Sequence, residues 1–254
     1  MEKLKNIYTC FPGGKHKVLT MSYDDGKLED RKLVEIFNRH GIKGTFHLNS
    51  GLLDDENRIK PEEWKSLYKG HEISCHTVLH PTIARCPLPQ VALQVLEDRR
   101  MLERTAGYPV RGMFPSLGIQ YCRVVGDTHD FAVPENFLTW KATCHHNHNL
   151  LEDGKRFIEL SKTQYLYMMY VWGHSYEFPR DNNWEIMEEF CSMAGGREDT
   201  WYATNIEIVD YMKAASDLKF NIDGSQVYNP SASGVWISVD KEIVEIPGGS
   251  LMNI

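Results

Sequence analysis

Val18-Leu19-Thr20-Met21-Ser22-Tyr23-Asp24-Asp25-Gly26 is an apolar run that stops on two adjacent carboxylates and a glycine. β-Branched and aromatic residues favour strands, and glycine is a common way out of one. The run therefore predicts a strand whose C-terminal end presents Asp24 and Asp25 at a turn. Successive side chains of an extended chain point in opposite directions, so the two acids can do different jobs. One can bind a metal while the other faces a reactant. Asp-Asp-Gly alone is more often a turn with solvated acids, and the residues that follow are what reverse those odds.

Downstream, Leu28, Leu33, Val34, Ile36 and Phe37 give a helical stripe over residues 27–40, ended by Gly41. Residues 44–49 alternate as a second strand. Pro61 to Gly70 carries the proline-first, glycine-last signature of a short helix. Residues 72–75 read as a third strand that runs directly into His76 and His80. Val91, Val95, Leu96 and Leu102 mark a helix over 87–104, and residues 110–115 a fourth strand. Residues 121–125 and 137–142 are further strand candidates. The run from Tyr165 to Trp172 predicts a strand ending on Gly173-His174, and helices follow over 184–193 and 206–215. Successive strands with helices between them call for a parallel sheet or barrel. From Asn221 the texture turns to Gly, Ser, Asn and Pro, with Val235–Val239 and Ile243–Ile246 as a hairpin. The expected organisation is an α/β domain over 1–220 and a β-hairpin extension over 221–254.

With 254 residues, 42% hydrophobic and 25% charged, the chain has the composition of an ordinary globular protein with a large core. A formal charge of −7 with no basic stripe argues against a nucleic-acid partner. No run of about 18 apolar residues argues against membrane insertion. The first residues, Met-Glu-Lys-Leu-Lys-Asn-Ile-Tyr, lack the apolar core of a signal peptide, which leans towards a cytoplasmic location. Six scattered cysteines without a C-x-x-C pair read as free thiols. Oligomeric state is not legible.

Asp24 and Asp25, His76 and His80, and His174 each fall just past the end of an expected strand. In α/β barrels, strand ends distant in sequence meet on that face. One carboxylate with two imidazoles is a common ligand set for zinc and similar divalent ions and leaves positions open for water and substrate. His76 and His80, four residues apart, can aim at one ion from a single turn. Each of these histidines taken singly is more often a surface, capping or structural residue; three strand ends together favour the metal site. A second run, Cys144-His145-His146-Asn147-His148, offers ligands too. Adjacent residues converge poorly on one ion, so it reads as substrate-facing or incidental.

Ser22-Tyr-Asp-Asp-Gly26, then His76-Thr-Val-Leu-His80-Pro81 and later Trp-Gly-His174, resemble the motifs of the polysaccharide deacetylase family, also called the NodB homology domain or carbohydrate esterase family 4. The family's first two motifs are T-F-D-D-G and H-[ST]-x-x-H, and the second is matched in full. The resemblance covers roughly residues 15–216. It implies an irregular seven-stranded (β/α) barrel and a metal-dependent hydrolase acting on acetylated saccharide. Asp24 then matches the catalytic base, and Asp25, His76 and His80 the metal triad. His174 matches the general acid that protonates the departing amine or alkoxide. The implied ion is zinc, with cobalt, nickel or manganese as alternatives. The third motif departs from R-x-P-[FY]: Phe114 stands where its arginine would be, with Leu117 near the aromatic. Either Arg111 orients the base from three residues earlier, or nothing does.

Trp140 resembles the hydrophobic wall of the acetyl pocket and reads equally well as a core residue. Trp172, Tyr176 and Trp201 offer faces for sugar rings, although isolated aromatics are more often core. Glu177, three residues after His174, either orients it or is a solvated acid. Three functions follow: deacetylation of N- or O-acetylated carbohydrate, hydrolysis of a non-peptide C–N bond in a small amide, or carbohydrate binding without catalysis.

Overall fold

A computed structural model describes residues 4–112 and 119–254. The organising strand is β2 (Lys17–Asp24), preceded by β1 (Ile7–Cys10). Then come α1 (Asp30–Arg39), β3 (Gly44–Leu48), α2 (Pro61–Leu67), β4 (Glu72–Cys75) and α3 (Leu88–Ala106). The middle holds β5 (Arg123–Asp127), β6 (Trp140–Ala142), β7 (Cys144–His145) and α4 (Leu150–Glu159). They are followed by β8 (Tyr167–His174), α5 (Glu177–Asp181), α6 (Trp184–Ala194), β9 (Thr200–Tyr202) and α7 (Asn205–Ser216). The tail contributes β10 (Lys219–Phe220), β11 (Gln226–Tyr228), β12 (Val235–Val239), β13 (Glu242–Ile246) and β14 (Leu251–Asn253).

Every residue of β2 is buried, as expected of a strand covered on both faces. Leu19, Met21 and Tyr23 pack on one side with Leu33, Ile36 and Phe37 of α1 and Phe190 of α6. Thr20, Ser22 and Asp24 point the other way, into a buried polar layer. Thr20 bonds Asn205 at 2.8 Å, and Ser22 bonds His47 at 2.9 Å. Thus the alternation legible in the sequence separates an apolar face from a face that carries chemistry.

The main sheet is parallel, ordered β4-β3-β2-β8-β7. β8 pairs with β2 along its whole length, Lys17 to Asp24. A strand has two edges, so β3 and β9 share the other: β3 takes residues 21–24 and β9 takes 17–19. The expected irregular seven-stranded (β/α) barrel is met in part: the described residues show six parallel strands in one open sheet, and no strand joins β4 to β7. β5 and β6 pair with each other instead, with a bulge between Val124 and Asp127. Of the expected fourth strand, Val110–Gly112 forms only an isolated bridge to Tyr121, and residues 113–115 lie outside the described residues.

In the tail, β12 and β13 form an antiparallel hairpin, and β1 adds to β12 as a third strand. β10, β11 and β14 make a second small antiparallel sheet. α7 starts with a capping box: Thr204 accepts from the Glu207 amide, and Glu207 accepts from the Thr204 amide at 2.8 Å. All six cysteines are free. Among the described residues, no helix is long and apolar enough to cross a membrane.

Candidate active site

Register brings the strand ends level: Asp24 on β2 lies opposite His47 on β3 and His174 on β8. Neighbouring strands are spaced about 4.8 Å apart, so side chains from distant sequence positions share one small volume. Past Asp24 the chain turns sharply. Asp25 takes φ 81° and Gly26 φ 61°, and a β-carbon on Gly26 would lie 2.8 Å from Leu48 Cδ2. Asp tolerates the left-handed region better than most residues, though at a cost of about 1–3 kcal/mol. The Asp25 amide donates to His47 O at 2.9 Å, and the Arg58 guanidinium donates to Asp25 O. That turn sends Asp24 into the interior and Asp25 towards the cleft.

His76 leaves the end of β4 with its amide donating to Leu48 O at 2.9 Å and to Asp98 Oδ2 at 3.0 Å. Asn49 donates to the His76 and Thr77 carbonyls, and Arg58 holds Asn49 Oδ1 at 2.9 Å. His80, itself at φ 51°, is tied back through its amide to Thr77 Oγ1 at 3.0 Å. The loop so fixed puts His76 Nε2 3.8 Å, and His80 Nε2 3.9 Å, from Asp25 Oδ1.

These separations suit three ligands of one tetrahedral ion with bonds of about 2.0–2.2 Å. His76 Nε2 is buried and has no hydrogen-bond partner, an arrangement costly for a polar atom unless a cation takes its lone pair. Burial lowers the basicity of His76 against the pull of Asp24 and Asp25, which favours the neutral, ligating imidazole. The residues present therefore fit a divalent ion.

Asp24 is nearly inaccessible. Oδ2 accepts from Arg123 Nη2 and lies 3.9 Å from His76 Nε2 and 4.0 Å from His174 Nε2. Burial alone would raise its pKa; Arg123, helped by His76, His47 and His174, instead holds the carboxyl well below the usual range. Oδ1 is buried without a partner. His47 completes the floor. Its Nδ1 lies 3.2 Å from the Cys75 carbonyl, which can only accept, so Nε2 takes the hydrogen of Ser22 Oγ. Burial, with Arg123 and His76, pushes the His47 pKa down to about 4 against the pull of Asp24.

His174 lies across the site. Burial would lower its pKa, but Glu177 and Asp24 outweigh that and raise it. Glu177 Oε2 is 3.5 Å from His174 Nδ1 and 3.0 Å from His145 Nε2. The ring of Tyr176 is centred 5.2 Å from that of His174. Asp25, Lys27, Asn57, Arg58 and Tyr176 line an adjoining cleft.

The structure thus gathers Asp24, Asp25, His76, His80, His174, Tyr176, Trp172 and Glu177. Arg111 is elsewhere: both its Nη atoms donate to Asp210 at 2.7 Å. Asp24 is gripped by Arg123 instead, whose guanidinium lies 4.2 Å over the Trp172 ring. Trp172 in turn donates from Nε1 to Asp127 at 2.8 Å. No sequence spacing could have singled out Arg123, because its partner is set by a sheet pairing far along the chain. Trp140 has no face on the cleft. It is fully buried between Phe137, Tyr170 and Tyr121, with centroids at 4.9, 4.6 and 6.1 Å. Trp201 packs on Phe11 and Tyr211. Phe114 and Leu117 lie outside the described residues. Contrary to the expectation from adjacency, His145 and His146 both point Nε2 at Glu177 Oε2.

Fold and cluster together define an α/β protein with its candidate site at the C-terminal edge of a parallel sheet. Residues 12–131, just under half of the chain, match the family model of polysaccharide deacetylase. The chain is 26% identical over 132 residues to a peptidoglycan-N-acetylglucosamine deacetylase of Bacillus cereus, covering 51% of this chain and 46% of that one. It is 26% identical over 106 residues to a peptidoglycan-N-acetylglucosamine deacetylase of Listeria monocytogenes, covering 41% and 22%. The chain thus matches under half the length of these curated relatives. Among solved structures, it resembles a protein of Mycobacterium smegmatis classed as a polysaccharide deacetylase. That match has TM-score 0.56 and 16% identity, over 82% of this chain and 94% of that one. An allantoinase superposes with TM-score 0.58 at 12% identity, over 78% and 91%. At such identities the likeness concerns the fold alone.

Proposed function

We propose that this protein is a metal-dependent hydrolase that removes acetyl groups from N- or O-acetylated carbohydrate. The observation that carries the reading is the buried, unpartnered His76 Nε2, set beside Asp25 and His80 with Asp24 and His174 flanking it. Asp25, His76 and His80 would hold the ion, zinc by donor type, with cobalt, nickel or manganese as substitutes. When bound, a divalent ion there supplies Lewis acidity that eases loss of a proton from water and polarises a carbonyl oxygen.

The chain's own residues do the rest. Asp24, ionised by its pairing with Arg123, takes a proton at Oδ1, the oxygen without a partner. His174, made more basic by Glu177 and Asp24, carries a proton on Nε2 to the departing amine or alkoxide. Tyr176 and the half-buried Trp172 border the space between them and offer faces to a sugar ring.

Acetate release from a panel of acetylated oligosaccharides, measured with and without chelator, tests the reading. Acetate that disappears on chelation and returns with zinc supports it. Ammonia or another amine released from small amides, without acetate from saccharides, would replace it with C–N hydrolysis. Saccharide binding without turnover under every metal would make the protein a lectin-like relative.

A further inference from the structure

We infer that His145 is a positioning residue for His174, acting through Glu177; the inference rests on the acid role proposed for His174. It gives a place to the Cys144–His148 run that the metal site leaves unused.

His145 Nδ1 lies 3.1 Å from the Asn147 backbone nitrogen, which can only donate, so Nδ1 is an acceptor and the hydrogen sits on Nε2. Nε2 is 3.0 Å from Glu177 Oε2 and donates to it. That hydrogen fills the space an ion shared by His145, His146 and Glu177 would need, and His146 Nε2 stands 3.4 Å from Glu177 Oε2. His145 is itself immobilised. Its amide donates to Asp127 Oδ2 at 3.0 Å, and its ring stands edge-on to Trp172 at 4.5 Å.

Glu177 Oε2, fixed in this way, faces the His174 amide at 3.4 Å and His174 Nδ1 at 3.5 Å. An ionised carboxylate only accepts, and burial notwithstanding, His145 and His174 keep Glu177 well below the usual carboxylate range. The carboxylate 3.5 Å from His174 Nδ1 therefore favours the tautomer that carries its hydrogen on that nitrogen. The lone pair of the neutral ring is left on Nε2, the atom 4.0 Å from Asp24 Oδ2. An added proton then goes to the nitrogen that faces the reaction space, which is the state a general acid requires. Without the His145 donor, Glu177 is left to Arg180, whose Nη2 stands 3.4 Å from Oε1, and His174 loses its tautomer bias.

The test compares wild type, His145→Leu and His145→Gln as zinc-loaded full chains labelled with 15N-histidine. Ring 15N shifts of His174 are read at a pH where the ring is neutral. Wild type should show the Nδ1–H tautomer, His145→Leu a mixture with Nε2–H, and His145→Gln, which keeps a donor, the wild-type pattern. In turnover, His145→Leu should lower kcat on the order of ten-fold with KM nearly unchanged, and the glutamine variant should recover most of it. An Nε2–H tautomer in wild type overturns the inference, as does an unaltered His174 spectrum in a folded His145→Leu protein. Absence of any turnover in wild type, with the tautomer pattern as expected, would count against the hydrolase reading and leave the positioning intact.

Discussion

Asp24 and Arg123, 99 residues apart in sequence, form an ion pair at the buried end of the central strand. The guanidinium is clamped between the carboxylate and the Trp172 ring, and Asp127 holds that ring in turn. The pairing has a direct functional consequence, because an acid this buried would otherwise prefer to be neutral.

Replacing the two arginines should separate their roles. Arg123→Ala is expected to lower kcat/KM on the order of 10²-fold with metal content unchanged. It should also cost about 3–5 kcal/mol of stability, since it strands a buried carboxylate. Arg123→Lys should regain part of the stability but little of the activity, because a point charge cannot stack flat on Trp172. Arg111→Ala, which breaks only a half-exposed pair with Asp210, should leave turnover within about two-fold and cost ~0–1 kcal/mol. Equal loss in both variants would refute the assignment.

Metal content should follow the geometry. Asp25→Asn and His76→Ala are expected to abolish stoichiometric zinc, as measured by elemental analysis after dialysis. His80→Ala, whose side chain is 53% exposed, should weaken binding less. Asp24→Asn should retain the ion and lose turnover. Saturating zinc, at roughly 100 times its Kd, should stabilise wild type by about 2.7 kcal/mol and leave Asp25→Asn unmoved. Loss of the ion from Asp24→Asn would show that the two acids share one job.

Stability should fall as pH rises through neutrality, because of Glu72. It is buried with no ion pair among the described residues, accepting from Tyr121 at 2.8 Å, Thr45 at 3.0 Å and the Ile206 amide at 2.9 Å. Burial, opposed by those hydrogen bonds, raises its pKa to about 7. The folded state thus favours the protonated form: the contribution is full below the unfolded value of about 4.3 and disappears as pH passes 7. Denaturant unfolding of wild type and Glu72→Gln should therefore diverge by on the order of 3 kcal/mol between pH 4 and pH 8. Wild type should be the one that loses stability, and parallel curves would count against a neutral Glu72.

Gly173 should tolerate no side chain. A β-carbon there would lie 1.8 Å from His146 Nδ1, and that ring is stacked between Tyr23 and Phe178 at centroid distances of 5.7 and 4.3 Å. Gly173→Ala should cost roughly 1–3 kcal/mol. The double change with His146→Gly should be less destabilised than the sum of the single changes. Strict additivity in a double-mutant cycle would mean that the two do not touch.

Much of the scaffold was legible because its signals are local. The β2 and β8 strands, the α1 stripe, the α7 helix and the β12–β13 hairpin were all visible in residue spacing. The glycine after Asp24-Asp25 and the four-residue spacing of His76 and His80 likewise announced a turn and a loop. β7, β9 and the two- and three-residue strands of the tail were missed, since they are too short to show a period. The count of seven strands is not met among the described residues, which put six in the sheet. Alternation of strands and helices specifies parallel neighbours but not whether the end strands β4 and β7 meet.

The sequence by itself determined that acids and imidazoles would stand at the ends of parallel strands, because strand periodicity and turn chemistry act within a few residues. Only the tertiary structure decided which arginine grips Asp24, that Trp140 is core, and that His145 faces Glu177. Those partnerships depend on register between strands far apart in the chain and on the low dielectric they enclose, and no local pattern encodes either.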